Sequence, residues 1–254
     1  MKRIVLGLIA SVMAMFAIAV VPSVASADFT DNFDSYALGN INGQGPWVDF
    51  GGALPSLVSD AQALSGTQSL ALSTVPATGA YGSDTYIANL NGAPITSGSW
   101  VASVDMFIPS SFNGQLHMFF SQGAMPATFD EGAWVRVNNN AGQGNINRFN
   151  LVTGATPAAL VYDQWSKLDL FINLDANTLG LSYNGVNFHT GAWDVQTPGG
   201  FIGIGGINFW VDSGSNPGGT VFIDNLSLKA IPEPATMGLT VVALLGLIGF
   251  RRKR

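Results

Sequence analysis

Residues 164–188 read QWSKLDLFINLDANTLGLSYNGVNF. Leu168, Leu170, Ile172 and Leu174 fall on every second position, with Lys167, Asp169 and Asn173 between them. A period of two belongs to a strand with one buried face, because successive side chains of an extended chain point to opposite sides. Asp175 to Thr178 then reads as a turn, and Asn184-Gly185 supplies residues that tolerate positive φ at both centres of a tight hairpin. The stretch therefore predicts successive antiparallel strands.

The same pattern extends outward over residues 28–230, where no helical periodicity of useful length occurs. Trp100, Ala102, Val104, Met106 and Ile108 form one alternating row. Leu116, Met118 and Phe120 form another, and Val135 and Val137 a third. Residues 201–211 and 221–228 complete the set, with Gly, Asn, Pro and Ser punctuating the runs. Many short strands with turn chemistry between them predict an all-β sandwich.

The 164–188 hairpin, a Trp-led strand followed by a turn, a second strand and Tyr-Asn-Gly-Val, resembles a motif of laminin-G-like and concanavalin-A-like jelly rolls. The stretches FTDNFDSYALGNINGQGPW (29–47) and VFIDNLSL (221–228) are similar to the first and last strands of such domains. The resemblance implies a jelly-roll β-sandwich, often carbohydrate-binding and often calcium-binding. Asn184 stands where that motif commonly carries Asp, which weakens a metal role at the hairpin.

The two ends read as addresses. Lys2 and Arg3 precede an apolar run from Ile4 to Val21, and Ala25 and Ala27 flank a signal-peptidase site before Asp28. Residues 1–27 are thus expected to be a helical signal peptide. Residues 231–254 read IPEPATMGLTVVALLGLIGFRRKR. The charge-free run 235–250, as a helix of about 1.5 Å per residue, covers roughly 24 Å and barely spans a ~30 Å hydrocarbon core. Arg251, Arg252, Lys253 and Arg254 would hold its end in the cytoplasm.

Pro232-Glu233-Pro234, a transmembrane helix and a basic tip, in that order, resemble the PEP-CTERM sorting signal of Gram-negative, biofilm-forming bacteria. The resemblance implies transient inner-membrane anchoring and recognition by an exosortase-type membrane peptidase. Tail removal would follow, with placement at the cell surface or in the extracellular matrix. An ordinary C-terminal anchor is the alternative.

The whole chain carries −6. The body between the two ends keeps only Arg136, Arg148, Lys167 and Lys229 as cations against fifteen acids, a net −11. Clustered cations are what nucleic acid requires, so that partner is excluded. With no cysteine and two histidines, the chain lacks disulfides, thiol catalysis and any His/Cys zinc cluster.

Three candidate chemistries remain. Rows opposite the apolar ones place His117 beside Phe119, Trp134 beside Arg136, and Asn208 beside Trp210. Rings edged by polar groups suit saccharides, whose apolar C–H faces stack while hydroxyls hydrogen-bond. These five residues, His117, Trp134, Arg136, Asn208 and Trp210, form the expected glycan surface; covering of the second sheet is the bland alternative. Asp224 reads as an acid on an apolar row with Phe222, Leu226 and Leu228, which needs neutralisation, hydrogen bonds or a metal. A structural Ca²⁺ held by Asp34 and Asp224, with Asp31, is one expectation, and backbone capping by Asp224 is the other.

Catalysis is disfavoured. Laminarinase-type hydrolases carry a Glu-x-Asp-x-x-Glu strand, whereas the body has one glutamate, Glu131, on an apparent loop after Asp130. Alginate-lyase-like sites use Arg, Gln, His and Tyr, which keeps a lyase open. The reading is a secreted, non-catalytic, lectin-like module for extracellular polysaccharide. A structural or adhesive matrix protein, or a polysaccharide hydrolase or lyase, is the alternative.

Overall fold

The computed structural model describes residues 28–75, 81–127, 129–149, 157–194, 202–212 and 218–232. The expected signal helix and cleavage site (1–27), Glu233, Pro234, the apolar tail and the basic tip lie outside them. Among the described residues, no helix is long and apolar enough to cross a membrane.

Strands run in chain order as β1 (Phe29–Asp31), β2 (Gly39–Asn40), β3 (Trp47–Asp49), β4 (Leu57–Ser59), β5 (Ser69–Ser73), β6 (Tyr81–Ile87), β7 (Ser99–Phe107) and β8 (Gln115–Ser121). They continue as β9 (Glu131–Asn138), β10 (Asn145–Arg148), β11 (Ala158–Ala159), β12 (Trp165–Asn173), β13 (Thr178–Tyr183), β14 (Val186–Ala192), β15 (Ile207–Asp212) and β16 (Thr220–Ile231). Among the described residues one 3₁₀ turn, Asn140–Gly142, interrupts the β structure.

These strands build two sheets. The nine-stranded sheet has the order β14-β13-β12-β7-β16-β5-β4-β2, with β1 also on β16. The seven-stranded sheet has the order β11-β10-β9-β8-β15-β6-β3. Its central pairs β9–β8, β8–β15 and β15–β6 are all antiparallel. The chain passes repeatedly between the sheets, so neighbours such as β7 and β16 are far apart in sequence.

The hairpin that opened the sequence reading is β12-β13-β14. Leu168, Leu170 and Leu181 are fully buried in the inter-sheet core. Asn184 and Gly185 both take positive φ, 49° and 77°, as a two-residue turn between right-twisted strands requires. Trp100, Val104, Leu116, Met118, Val135, Val137, Ile207 and Phe209 fill the core from the other predicted rows.

Two expectations are corrected. Asp224 does not share a face with Leu226 and Leu228, because β16 carries a bulge between Asp224 and Ser227 with Asn225 at φ 50°. One extra residue reverses the facing of everything after it. Val221 and Ile223 point into the core before the bulge, and Leu226 and Leu228 after it. Glu131 is not on a loop; it is the first residue of β9 and is buried.

Candidate functional site

Alternation on the seven-stranded sheet turns a second set of side chains outward. Cross-strand register aligns Tyr86, Asn208, Phe119 and Trp134 in one row. The next row is Asp84, Trp210, His117, Arg136 and Asn147. The five residues expected to bind glycan therefore do share one face.

His117 is the hub of that face and is only 3% exposed. Its ring lies flat against Trp210, with centroids 4.6 Å apart and planes 3° apart. Trp134 Nε1 donates to His117 Nδ1 at 2.9 Å. With Nδ1 accepting, the ring proton sits on Nε2, which donates to Asp212 at 3.1 Å. Burial holds the imidazole below its usual pKa despite the neighbouring Asp212, so the neutral tautomer is the resting form.

Phe149 closes the group. It lies 4.4 Å from Trp134, stands edge-on to His117 at 5.7 Å, and carries the Arg136 guanidinium 4.3 Å above its ring centroid. Trp134, Trp210, Phe149 and Arg136 are each half-buried. Away from this cluster, Phe119 meets Phe129, Phe129 meets Phe50, and Phe50 meets Tyr86, at 6.3, 5.5 and 5.3 Å between centroids. Phe129 and Phe50 are 53% and 37% exposed, so the aromatic surface continues toward the sheet edge.

Two expected contacts are spent inside the protein. Asn208 is buried, and its Nδ2 donates to Asp84 Oδ1 at 2.7 Å and to the Thr85 carbonyl at 2.9 Å. Burial, with the Asp49 charge adding, pushes Asp84 up to about 6 against that hydrogen bond. His117 is likewise enclosed. Trp134, Trp210 and Arg136 remain to meet a ligand.

Sequence reasoning missed Phe149, Phe50 and Phe129. Phe149 follows Arg148, whose inward position hides the alternation of β10. Arg148 donates to the carbonyls of Ala192, Gly132 and Trp193 at 2.7, 2.9 and 3.1 Å. That fork ties β9 and β10 of one sheet to the end of β14 in the other. Buried Glu131 lies near it, and burial pushes the Glu131 carboxyl up to about 7 while the Arg148 charge opposes the shift.

The expected calcium carboxylates hold protein donors instead. Asp224 Oδ2 accepts from the Leu64 and Ser65 amides at 2.8 and 3.0 Å, and Oδ1 from its neighbour Asn225 at 2.7 Å. Asp34 Oδ1 accepts from the Thr67 and Gln68 amides at 2.7 and 3.1 Å. Both carboxylates thus grip one loop, 64–68, from opposite flanks. Asp31 accepts from the Phe33 amide, the Tyr36 hydroxyl and Trp47 Nε1. Among the described residues no group of three or more His, Cys, Asp or Glu is placed to hold a metal ion. Backbone capping by Asp224 is what the geometry contains.

No family model and no curated protein matches the chain. Solved structures do. A sialidase superposes with TM-score 0.55 at 13% identity over 81% of this chain, which spans only 18% of that protein's length. Alginate lyase Aly36B gives TM-score 0.51 at 14% identity, covering 84% of this chain and 98% of the lyase. The catalytic domain of a glycoside hydrolase family 131 protein from Coprinopsis cinerea gives 0.49 at 15% identity, covering 79% and 89%. The sialidase and Aly36B likenesses show the fold alone: an all-β, jelly-roll-like sandwich.

Proposed function

We propose that this chain is an exported, non-catalytic module that binds a glycan across the outer face of its seven-stranded sheet. The observation that carries the reading is the half-exposed group Trp134, Trp210 and Phe149, held around buried His117 with Arg136 at its edge. Rings already locked by stacking and hydrogen bonds lose little freedom on binding, so their apolar faces are pre-organised for sugar C–H surfaces. The carbohydrate-related names of the similar structures support a glycan as the ligand class. The signal-peptide-like start and the PEP-CTERM-like tail support signal-peptidase cleavage, exosortase processing and a destination at the cell surface or in the biofilm matrix.

The test is a polysaccharide pull-down and glycan array with the secreted protein and a Trp134→Ala/Trp210→Ala variant of unchanged circular dichroism. The variant is expected to lose at least about tenfold in affinity, or 1.4 kcal/mol. Undiminished binding would overturn the site. No binding by the parent protein to any polysaccharide would leave the structural or adhesive matrix role.

A second reading, a polysaccharide lyase, has one observation in its favour. Gln115 and His117 lie on one strand, Arg136 pairs with His117, and Tyr81 and Gln115 both pair with Asp212. Against it, both His117 nitrogens are engaged and Trp210 covers the ring, which leaves no lone pair for a substrate proton. Ultraviolet absorbance from unsaturated sugars on incubation with uronate polymers would favour the lyase.

A further inference from the structure

We propose that the outer face of the nine-stranded sheet holds a second saccharide site, so that the body binds glycan on both of its opposite faces. A cleft of about 490 Å³ opens there over β16. Its cause is the bulge. β5 pairs with Thr220–Ile223 and β1 with Leu226–Leu228, and the bulged Asp224–Asn225 step falls between the two partners. Bulges of this kind end pairing locally and re-aim side chains.

Thr30, Asp105, Lys167, Asn225, Ser227 and Lys229 are among the nine residues that line the cleft. Asp105 and Lys167 face each other in register across β7 and β12. Both lysines of the body line this cleft, Lys167 beside the Asp105 carboxylate. The Asp105 carboxylate takes a hydrogen bond from Asn225 Nδ2 at 3.2 Å and keeps further acceptor capacity. One register step along the same face, half-buried Trp165 and Phe107 pack at 5.7 Å between centroids.

This set selects a neutral sugar. Vicinal hydroxyls accept from an ammonium and donate to a carboxylate at once, and Thr30 and Ser227 hydroxyls do either. The Trp165 ring offers an apolar platform beside them. A polyanion would meet the Asp105 carboxylate, and a polycation would meet two lysines. The volume falls within the roughly 300–1,000 Å³ of small-ligand sites and takes one or two sugar rings.

The consequence is cross-linking. A rigid sandwich, with sheets about 10 Å apart, directs its two outer faces to different chains, so one molecule bridges two glycans. The cross-linking step rests on the first face binding glycan; the second site itself does not.

Calorimetry with neutral hexasaccharides (cello-, xylo- and laminari-series) and agglutination of beads coated with the matching polymer test this. Two sites are expected in the parent protein. Trp134→Ala/Trp210→Ala should leave one, Asp105→Asn/Lys167→Met should leave the other, and either pair should abolish agglutination. A single site removed by the tryptophan pair overturns the second site and leaves the first reading intact. A single site removed only by the Asp105/Lys167 pair overturns the first reading and the cross-linking. No binding at all overturns both.

Discussion

His117 and Trp210 lie parallel, 4.6 Å between ring centroids, on neighbouring strands of the seven-stranded sheet. The imidazole is thereby a floor for the indole, and its own nitrogens fix Trp134 and Asp212. A residue that reads in sequence as a ligand contact or a base is, in three dimensions, a support for the groups that would touch ligand.

Replacing His117 by Ala should therefore weaken binding through its neighbours. The truncation removes a buried ring and a hydrogen-bond acceptor, at a cost of roughly 2–4 kcal/mol of stability. Urea unfolding checks the stability, and glycan titration at a temperature where the variant is folded should show at least about a tenfold loss.

Glu131 should make stability fall as pH rises. Its folded-state pKa is raised from 4.5 to about 7 by burial. The folded protein keeps a proton that the unfolded chain has already released, so the stabilisation is complete below pH 4.5 and is lost as pH rises through about 7. The loss is on the order of 3 kcal/mol. Urea midpoints between about pH 4.5 and pH 8 should decline in the parent and decline less in Glu131→Gln; parallel profiles would refute the assignment.

Asp224 should matter without calcium. It is fully buried and accepts from the amides of Leu64, Ser65 and Asn225. Asp224→Ala strands those donors and should cost roughly 3 kcal/mol. The parent Tm should be unchanged by EDTA or by added Ca²⁺, and a calcium-dependent rise would restore the metal reading.

Gly66 should be irreplaceable. It holds φ +61°, and a Cβ there would collide with the Asp34 carboxylate. A side chain at that point would have to push the Asp34 carboxylate off the Thr67 and Gln68 amides. Gly66→Ala should cost roughly 2–4 kcal/mol in thermal or urea unfolding. A loss below about 0.5 kcal/mol would mean that the loop sits elsewhere.

Alternation alone made the sandwich legible. Leu168, Leu170 and Ile172, or Leu116, Met118 and Phe120, could be assigned to the core because period two is a local property of extended chain. The Asn184-Gly185 turn was legible for a similar reason, since positive φ is a demand on those two residues themselves. The same locality assigned Trp134, Arg136, His117 and Trp210 to outward faces.

Which outward residues meet each other was beyond local reading. Phe149 joins Trp134 because β10 pairs with β9, and loop residues Phe50 and Phe129 reach the same surface from distant points in the chain. The fate of Asp224 turned on a single bulge at Asn225, which reverses the facing of the residues beyond it. Sequence determined most strands and turns, and facing wherever no bulge intervenes, since these follow from each residue and its immediate neighbours. Tertiary structure decided partnership: that Asp224 holds a loop 160 residues away, that His117 is enclosed, and that both lysines share one cleft. Those outcomes depend on pairing between segments remote in the chain, and no local periodicity encodes that pairing.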